Sequence, residues 1–322
     1  MNNSAFATFL VRNNSYLPGA LLLGYALKKQ KIKQELIVFI SRDITASARE
    51  ILKSQFTRLI TIDNILIPCK NKQNRQHIPF VFNRLHALRL GPDGDLGGDY
   101  GKIVVMDADL LPLRNFESLL ELAAPAGIIN EKKENFVSLD KHKGYLVSAK
   151  SIETKKWVWH EIYDGICPHG SRIPKEITAR VLSDYNNMGV HTCLQIMAPD
   201  FNEYKAIMQE ISEPAMQDLI ANKFQWPDMQ YLSARWSGKW TNIDIRYGSL
   251  NGYPGLDILY GTHYGGIKPW QLKKKPLLIS KLKFQDFQFW YRLYKEMYEK
   301  NMRLFEKENK LRAIYNFCRE VL

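Results

Sequence analysis

A chain of 322 residues with 45% hydrophobic and 12% aromatic content can bury a sizeable core and is too apolar to remain disordered. Four scattered cysteines (Cys69, Cys167, Cys193, Cys318) form no CxxC pair, which argues against a zinc site and against a disulfide scaffold, leaving reduced structural thiols. The net charge of +12 invites a polyanionic partner, but residues 271–322 hold 13 Lys/Arg against 6 Asp/Glu, so more than half of the surplus lies near the C-terminal end. A solvated helix face explains that surplus at least as well as an acidic membrane surface does, and nucleic acid ranks lower.

The first residues, AFATFLV, read as a buried strand with no basic n-region before them, and the apolar run Gly19 to Leu27 is too short to cross a bilayer. A cytoplasmic protein is therefore expected. After the turn RNNSYLPG come a helix (ALLLGYALKKQ), a strand (ELIVFIS), a helix from DITASAREILKSQF capped by Asp43 or Thr45, and a strand (LITIDNI). Strands alternating with helices of this length predict a mostly parallel sheet. FVFNRLHALRL reads as a helix. The loop GPDGDLGGDYG misses the EF-hand spacing and reads as a solvent loop, and KIVVMDADLLPL begins as a strand. Residues 127–183 carry no clean period. GVHTCLQIMAP reads as a strand and NEYKAIMQEI as a helix. From 285 onward Phe287, Trp290, Tyr291, Tyr294, Tyr298, Met302 and Phe305 recur at helical spacing, a stripe that core packing explains more often than a partner face does.

Chemistry concentrates at Asp107-Ala108-Asp109, directly after the apolar run Ile103–Met106. Period-two spacing at the C-terminal end of a strand would point both carboxylates one way, at the sheet edge where α/β proteins bind ligands. Two carboxylates make a hard oxygen site for Mg²⁺ or Mn²⁺, although a DxD triplet also arises by chance as a solvated or capping pair. Downstream, His263 opens HYGGIKPW: an imidazole as a further ligand, two glycines for close backbone approach, and an ammonium for a phosphate.

Taken together, six segments resemble glycosyltransferase family 8, the glycogenin-like retaining enzymes with a GT-A fold. They are AFATFLVRNNSYLPGALLLGYALK, FNRLHAL, VVMDADLLPL, NNMGVHTCLQIMAPD, WPDMQYLS and HYGGIKPW, in family order over most of residues 5–270 except 127–183. The resemblance implies an α/β, Rossmann-like single domain at 1–270, with a mostly parallel central sheet, an acceptor-shaping insertion about 127–183 and a basic helical extension at 271–322. It further implies transfer of a hexose, with glucose as the default, from a UDP-sugar to a glycan, protein or small-molecule acceptor. By position it assigns Phe9, Asn13 and Tyr16 to the uridine and Arg84 to the diphosphate. Asp107, Asp109 and His263 would hold Mn²⁺ or Mg²⁺, with Ala108 between the aspartates. Asn187, Gly189 and Asp228 would line the sugar and acceptor pocket, and Gly266 and Lys268 would close on the diphosphate. Asp228, Asn187 and Lys268 are the candidate catalytic residues, and a homodimer is left open.

Departures from the family pattern carry their own expectations. Met229 stands where the family has glutamine, which disfavours a double displacement and favours front-side displacement. Gln230 would point elsewhere if its segment were extended. Ser233 replaces an asparagine, and Asp184 is a weak match for the acidic residue that follows the DxD strand. Of the candidates for self-glucosylation, Tyr247, Tyr253 and Tyr260, each reads more simply as a packing or surface tyrosine. Two other functions compete: a catalytically weak UDP-sugar-binding relative, and a metal-dependent nucleotidyltransferase, which would release pyrophosphate.

Overall fold

Strand β1 (Ser4–Leu10) is buried along most of its length and pairs in parallel with β2 (Glu35–Ser41) on one side and with β4 (Lys102–Met106) on the other. The structure, a computed structural model, describes residues 3–69, 76–130, 159–250 and 255–322; about half of the 127–183 stretch, at 131–158, and Tyr253 lie outside the described residues. Beyond β2 lies the parallel edge strand β3 (Arg58–Ile62). Past β4 the sheet turns mixed: β7 (Val190–Met197) is antiparallel to β4, β6 (Ala126–Ile129) antiparallel to β7, and β8 (Thr241–Asn242) closes that side. The order is thus β3-β2-β1-β4-β7-β6-β8. Near-continuous apolar strands such as ELIVFIS are buried on both faces, as a parallel sheet between helices requires.

A second sheet of three strands, β5 (Leu110–Pro112), β10 (Gly261–His263) and β9 (Ser249–Leu250), grows directly out of the end of β4. Its β5–β10 pairing is antiparallel with His263 opposite Leu110. This register brings a residue from late in the chain beside the DxD turn.

The first helix, Leu17–Lys29, starts with Pro18 in its first turn and is buried from Leu17 through Leu27. It is apolar on all sides because it lies between the sheet and the long helix Gln285–Lys300. The predicted aromatic stripe of that long helix is core: Phe287, Trp290, Tyr291, Tyr294 and Tyr298 are buried, as is Phe305, while Met302 faces solvent. The second helix, Ala46–Leu52, is capped by Thr45, whose hydroxyl accepts from the Ala48 amide; Asp43 does not cap it.

Two elements differ from the sequence reading. The FVFNRLHALRL segment is a 3₁₀ helix, Ile78–Leu90, and its three-residue repeat lines up Asn83, His86 and Arg89. Asn83 accepts from the Ile65 amide at 2.8 Å, His86 Nε2 meets the Asp63 carbonyl at 2.9 Å, and Arg89 meets His86 Nδ1 at 2.8 Å. The strand before the DxD pair ends at Met106, so Asp107-Ala108-Asp109 forms a turn in which the Leu110 amide bonds the Asp107 carbonyl at 3.0 Å. A turn replaces the expected period-two alternation, and the two carboxylates still converge. Among the described residues no helix is long and apolar enough to cross a membrane.

Candidate active site

The DxD turn is pinned from two sides. The Asp107 amide donates to the Cys193 carbonyl of β7 at 2.9 Å, and the Asp109 carbonyl accepts from the Tyr264 amide at 3.0 Å. His263, carried in by the β5–β10 pairing, places Nε2 3.3 Å from Asp109 Oδ1 and 4.0 Å from Asp107 Oδ2. One ligand atom each from Asp107, Asp109 and His263 therefore falls within 4.8 Å of the others.

Two permanent cations flank the carboxylates. The Lys268 ammonium rests on Asp109 Oδ2 and also donates to the Tyr264 carbonyl. Arg84, buried on the 3₁₀ helix, bridges two acids: Nη2 lies 3.2 Å from Asp107 Oδ1 and Nε 2.8 Å from Asp228 Oδ2. Its Nη1 donates to the Thr192 carbonyl, and Thr192 Oγ1 donates to Asp228 at 2.8 Å. Burial raises the Asp107 carboxyl above its usual range, and the like charges of Asp109 and Asp228 add to this against the pull of Arg84 and His263. Burial would raise Asp109 as well, but Lys268 and His263 overcome it and hold that carboxyl well below the usual range.

This donor set fits a divalent cation. Three carboxylates (Asp107, Asp109, Asp228) face two basic side chains (Arg84, Lys268), and burial raises the Asp107 carboxyl. Nδ1 of His263 is buried with no hydrogen-bond partner, so no carbonyl or carboxylate ties the ring down at its far side. Two carboxylates and an imidazole suit a manganese-like ion.

The structure thus gathers Arg84, Asp107, Asp109, Asp228, His263 and Lys268 into one connected cluster. Tyr16 joins at its margin, its ring under the Lys268 ammonium at 5.8 Å and edge-on to Trp270 at 5.5 Å. Phe9 stands at the C-terminal end of β1 and stacks on Phe39 with centroids 4.7 Å apart. Asn13 is exposed, its side chain capping the turn by accepting from the Ser15 amide at 2.8 Å. Asn187 is fully buried and its carbonyl accepts from Gln230. Gly189 has φ +71°, and a Cβ there would meet Ser233 Oγ at 2.3 Å, so this position demands glycine. Gly266 is exposed with open space around it, and Ala108 is buried under the turn.

Several residues went unread in the sequence. Gly19 lets the first helix press on the DxD turn: a Cβ would lie 2.3 Å from the Ala108 carbonyl oxygen and 2.4 Å from Trp270. Its one signal was a glycine one step inside an apolar helix. Thr192, which bonds Asp228, sits in a strand buried at every position but His191, where alternation gives little cue. The segment WPDMQYLS is a helix, Pro227–Arg235, so the orientation expected of Gln230 in an extended segment does not apply. Gln230 is instead a structural clasp: Oε1 accepts from the Gln225 and Trp226 amides, and Nε2 donates to the Tyr185 and Asn187 carbonyls, all between 2.8 and 2.9 Å. Met229 beside it is buried. Tyr247 and Tyr260 stack with centroids 4.5 Å apart, and Asp184 caps its own turn through the Asn186 amide.

No protein-family model matches the chain. An uncharacterised mimivirus protein, R707 of Acanthamoeba polyphaga mimivirus, is 26% identical over 96% of this chain and 98% of its own length. Glycogenin-1 of Mus musculus is 31% identical over 38% of this chain, a match that spans only 35% of the glycogenin, and galactinol synthase 7 of Arabidopsis thaliana is 24% identical over 64% of this chain and 55% of its own. Among solved structures the galactosyltransferase LgtC, bound to donor and acceptor sugar analogues, superposes with a TM-score of 0.55 at 10% identity, over 89% of this chain and 94% of that one. With the motif segments and the mixed sheet already in place, these likenesses show the GT-A fold and a similarity to glycogenin and galactinol synthase over part of the chain.

Proposed function

We propose that the chain moves a hexose, glucose by preference, from a UDP-sugar to an acceptor hydroxyl with retention at the anomeric carbon, using Mn²⁺ or Mg²⁺ held by Asp107, Asp109 and His263. The observation that carries this reading is the convergence of those three side chains within 4.8 Å, produced by a strand pairing between distant parts of the chain. When bound, the ion would supply Lewis-acid stabilisation of the diphosphate.

The chain's own residues do the rest. Arg84 and Lys268 are the fixed cations beside the aspartates, so stabilising the charge of a departing UDP falls to them. Asp228 is held rigid by Arg84 and Thr192, the preorganisation wanted in a group that orients a sugar or acceptor hydroxyl. Tyr16 and Phe9 offer aromatic surface at the sheet edge to a base. Met229 is buried and offers no carboxylate or amide oxygen to the anomeric carbon, which supports front-side displacement. The acceptor class is a glycan, a protein or a small polyol.

The test is to incubate the protein with Mn²⁺ and a panel of UDP-sugars, UDP-glucose and UDP-galactose first, and to measure free UDP. Asp109→Asn should lower release by about a hundredfold or more in a variant that is still folded, though less stable because Lys268 loses its partner. Normal turnover by that variant in EDTA defeats the proposal. Pyrophosphate released from a nucleoside triphosphate would select a nucleotidyltransferase, and UDP-sugar binding without hydrolysis would select a catalytically weak relative.

A further inference from the structure

The sequence argued against a zinc site because no two cysteines are close, but the fold assembles a different thiolate set. His191 and Cys193 are two residues apart on β7, a spacing that puts both side chains on one face of a strand. That face meets His263: the two imidazole rings stand edge to face with centroids 5.1 Å apart. One ligand atom each from His191, Cys193 and His263 lies within 4.8 Å of the others. The Cys193 amide donates to Nδ1 of His191 at 3.0 Å, which leaves the ring proton on Nε2, so ligation by His191 requires this bond to open and free a ring nitrogen.

We propose that His191, Cys193 and His263 form a second, thiophilic metal site that takes a zinc-class divalent ion and shares His263 with the aspartate site. A second observation points to a ligand here. The His263 side chain is only 7% exposed, and its Nδ1, the nitrogen other than the one facing Asp109, has no hydrogen-bond partner. A buried imidazole nitrogen without a partner is costly in a native structure and is relieved by ligation. Two imidazoles and a thiolate suit zinc or cobalt, whereas the aspartate pair suits magnesium or manganese. Tetrahedral bonds of 2.0–2.3 Å need ligand atoms about 3.5 Å apart, so modest side-chain rotation closes the set, with water as a fourth ligand. On ligation the Cys193 thiol gives its proton to solvent and its sulfur to the ion, with no change of oxidation state. His191 is half-exposed and gives the ion a way in.

Sharing His263 makes the two sites competitors. An imidazole drawn to Cys193 is withdrawn from Asp107 and Asp109, so zinc should oppose manganese. Binding of the thiophilic ion stands on its own geometry; only its effect on turnover rests on the transferase reading.

Titration of the metal-free protein with Co²⁺, followed by near-ultraviolet absorption, tests it. One equivalent should raise a thiolate-to-cobalt charge-transfer band that Zn²⁺ abolishes, that Cys193→Ser lacks, that His191→Gln weakens with at least a tenfold loss of affinity, and that Asp109→Asn retains. Circular dichroism checks that each variant is folded, and His191→Gln decides the matter should Cys193→Ser not fold. No band in the parent protein, the same band in Cys193→Ser, or loss of the band in a folded Asp109→Asn overturns the proposal. A band without any UDP release from UDP-sugars would sink the transferase reading alone.

Discussion

Lys268 lies 159 positions beyond Asp109 in the chain, yet its ammonium rests directly on that carboxylate. Both side chains are less than a tenth exposed, so neither charge can fall back on water. Removing one partner of such a pair strands the other and costs roughly 3–5 kcal/mol. Lys268→Met should therefore lower stability by about that amount in EDTA, and saturating Mn²⁺ should restore part of it by giving Asp109 a new counter-charge. Urea unfolding with and without the ion checks this; equal midpoints in both conditions would place the ion elsewhere.

Gly19 is where the first helix touches the Asp107–Asp109 turn. Gly19→Ala would force a methyl into the Ala108 carbonyl and the Trp270 ring, an overpacking cost of about 1–3 kcal/mol. The expected result is a lower midpoint together with weaker Mn²⁺ binding, since the displaced turn carries both aspartates. An unchanged metal affinity in a folded variant would show that the turn does not feel the helix.

Gln230 makes four hydrogen bonds from a fully buried position. Gln230→Leu leaves two amides and two carbonyls without their partner, at roughly 1–3 kcal/mol for each group that stays unsatisfied. A loss of about 3 kcal/mol or more is expected, against a far smaller loss in Gln230→Glu at low pH, where the protonated acid keeps part of the network. Denaturant titration of the two variants makes the comparison.

His86 gives the protein a pH dependence. Burial and the neighbouring Arg89 guanidinium lower its pKa to about 4, below the ordinary value near 6.5, so the folded state keeps it neutral where the unfolded state is protonated. The sign follows: this contribution is complete above about pH 6.5 and is lost as pH falls towards 4, for a total of about 2–3 kcal/mol. Stability of the parent protein should drop between pH 7.5 and 4.5 by that much more than stability of His86→Gln. Parallel slopes for the two would remove the histidine from the account.

What could be read in advance was local. The DxD pair, the HYGGIKPW segment and the βα alternation each declare themselves within a dozen residues, and the structure puts Asp107, Asp109, His263 and Lys268 in one cluster. Partnerships were hidden, because they depend on tertiary pairing. Nothing in the spacing of Arg84 and Asp228 foretells their 2.8 Å contact, which follows from a 3₁₀ helix meeting the Pro227–Arg235 helix. Gln230 lies in that helix, with Trp226 as its N-cap, so the orientation Gln230 would take in an extended segment does not arise. The His191–Cys193 pair was invisible for a different reason: its third member arrives from β10, and a search for paired cysteines cannot see it.

The residues after Trp270 reach back to the Tyr16–Lys268 side of the cluster. Trp290 leans on Trp270, the Tyr291 hydroxyl donates to the Pro269 carbonyl at 3.0 Å, and Lys310 donates to the Ser15 carbonyl at 2.7 Å. Clipping the chain in this region would thus unseat the shelf on which Tyr16 and Lys268 stand. On the proposed function, tags, fusions or proteolytic nicks at that end would be felt as altered nucleotide affinity before any change in secondary structure.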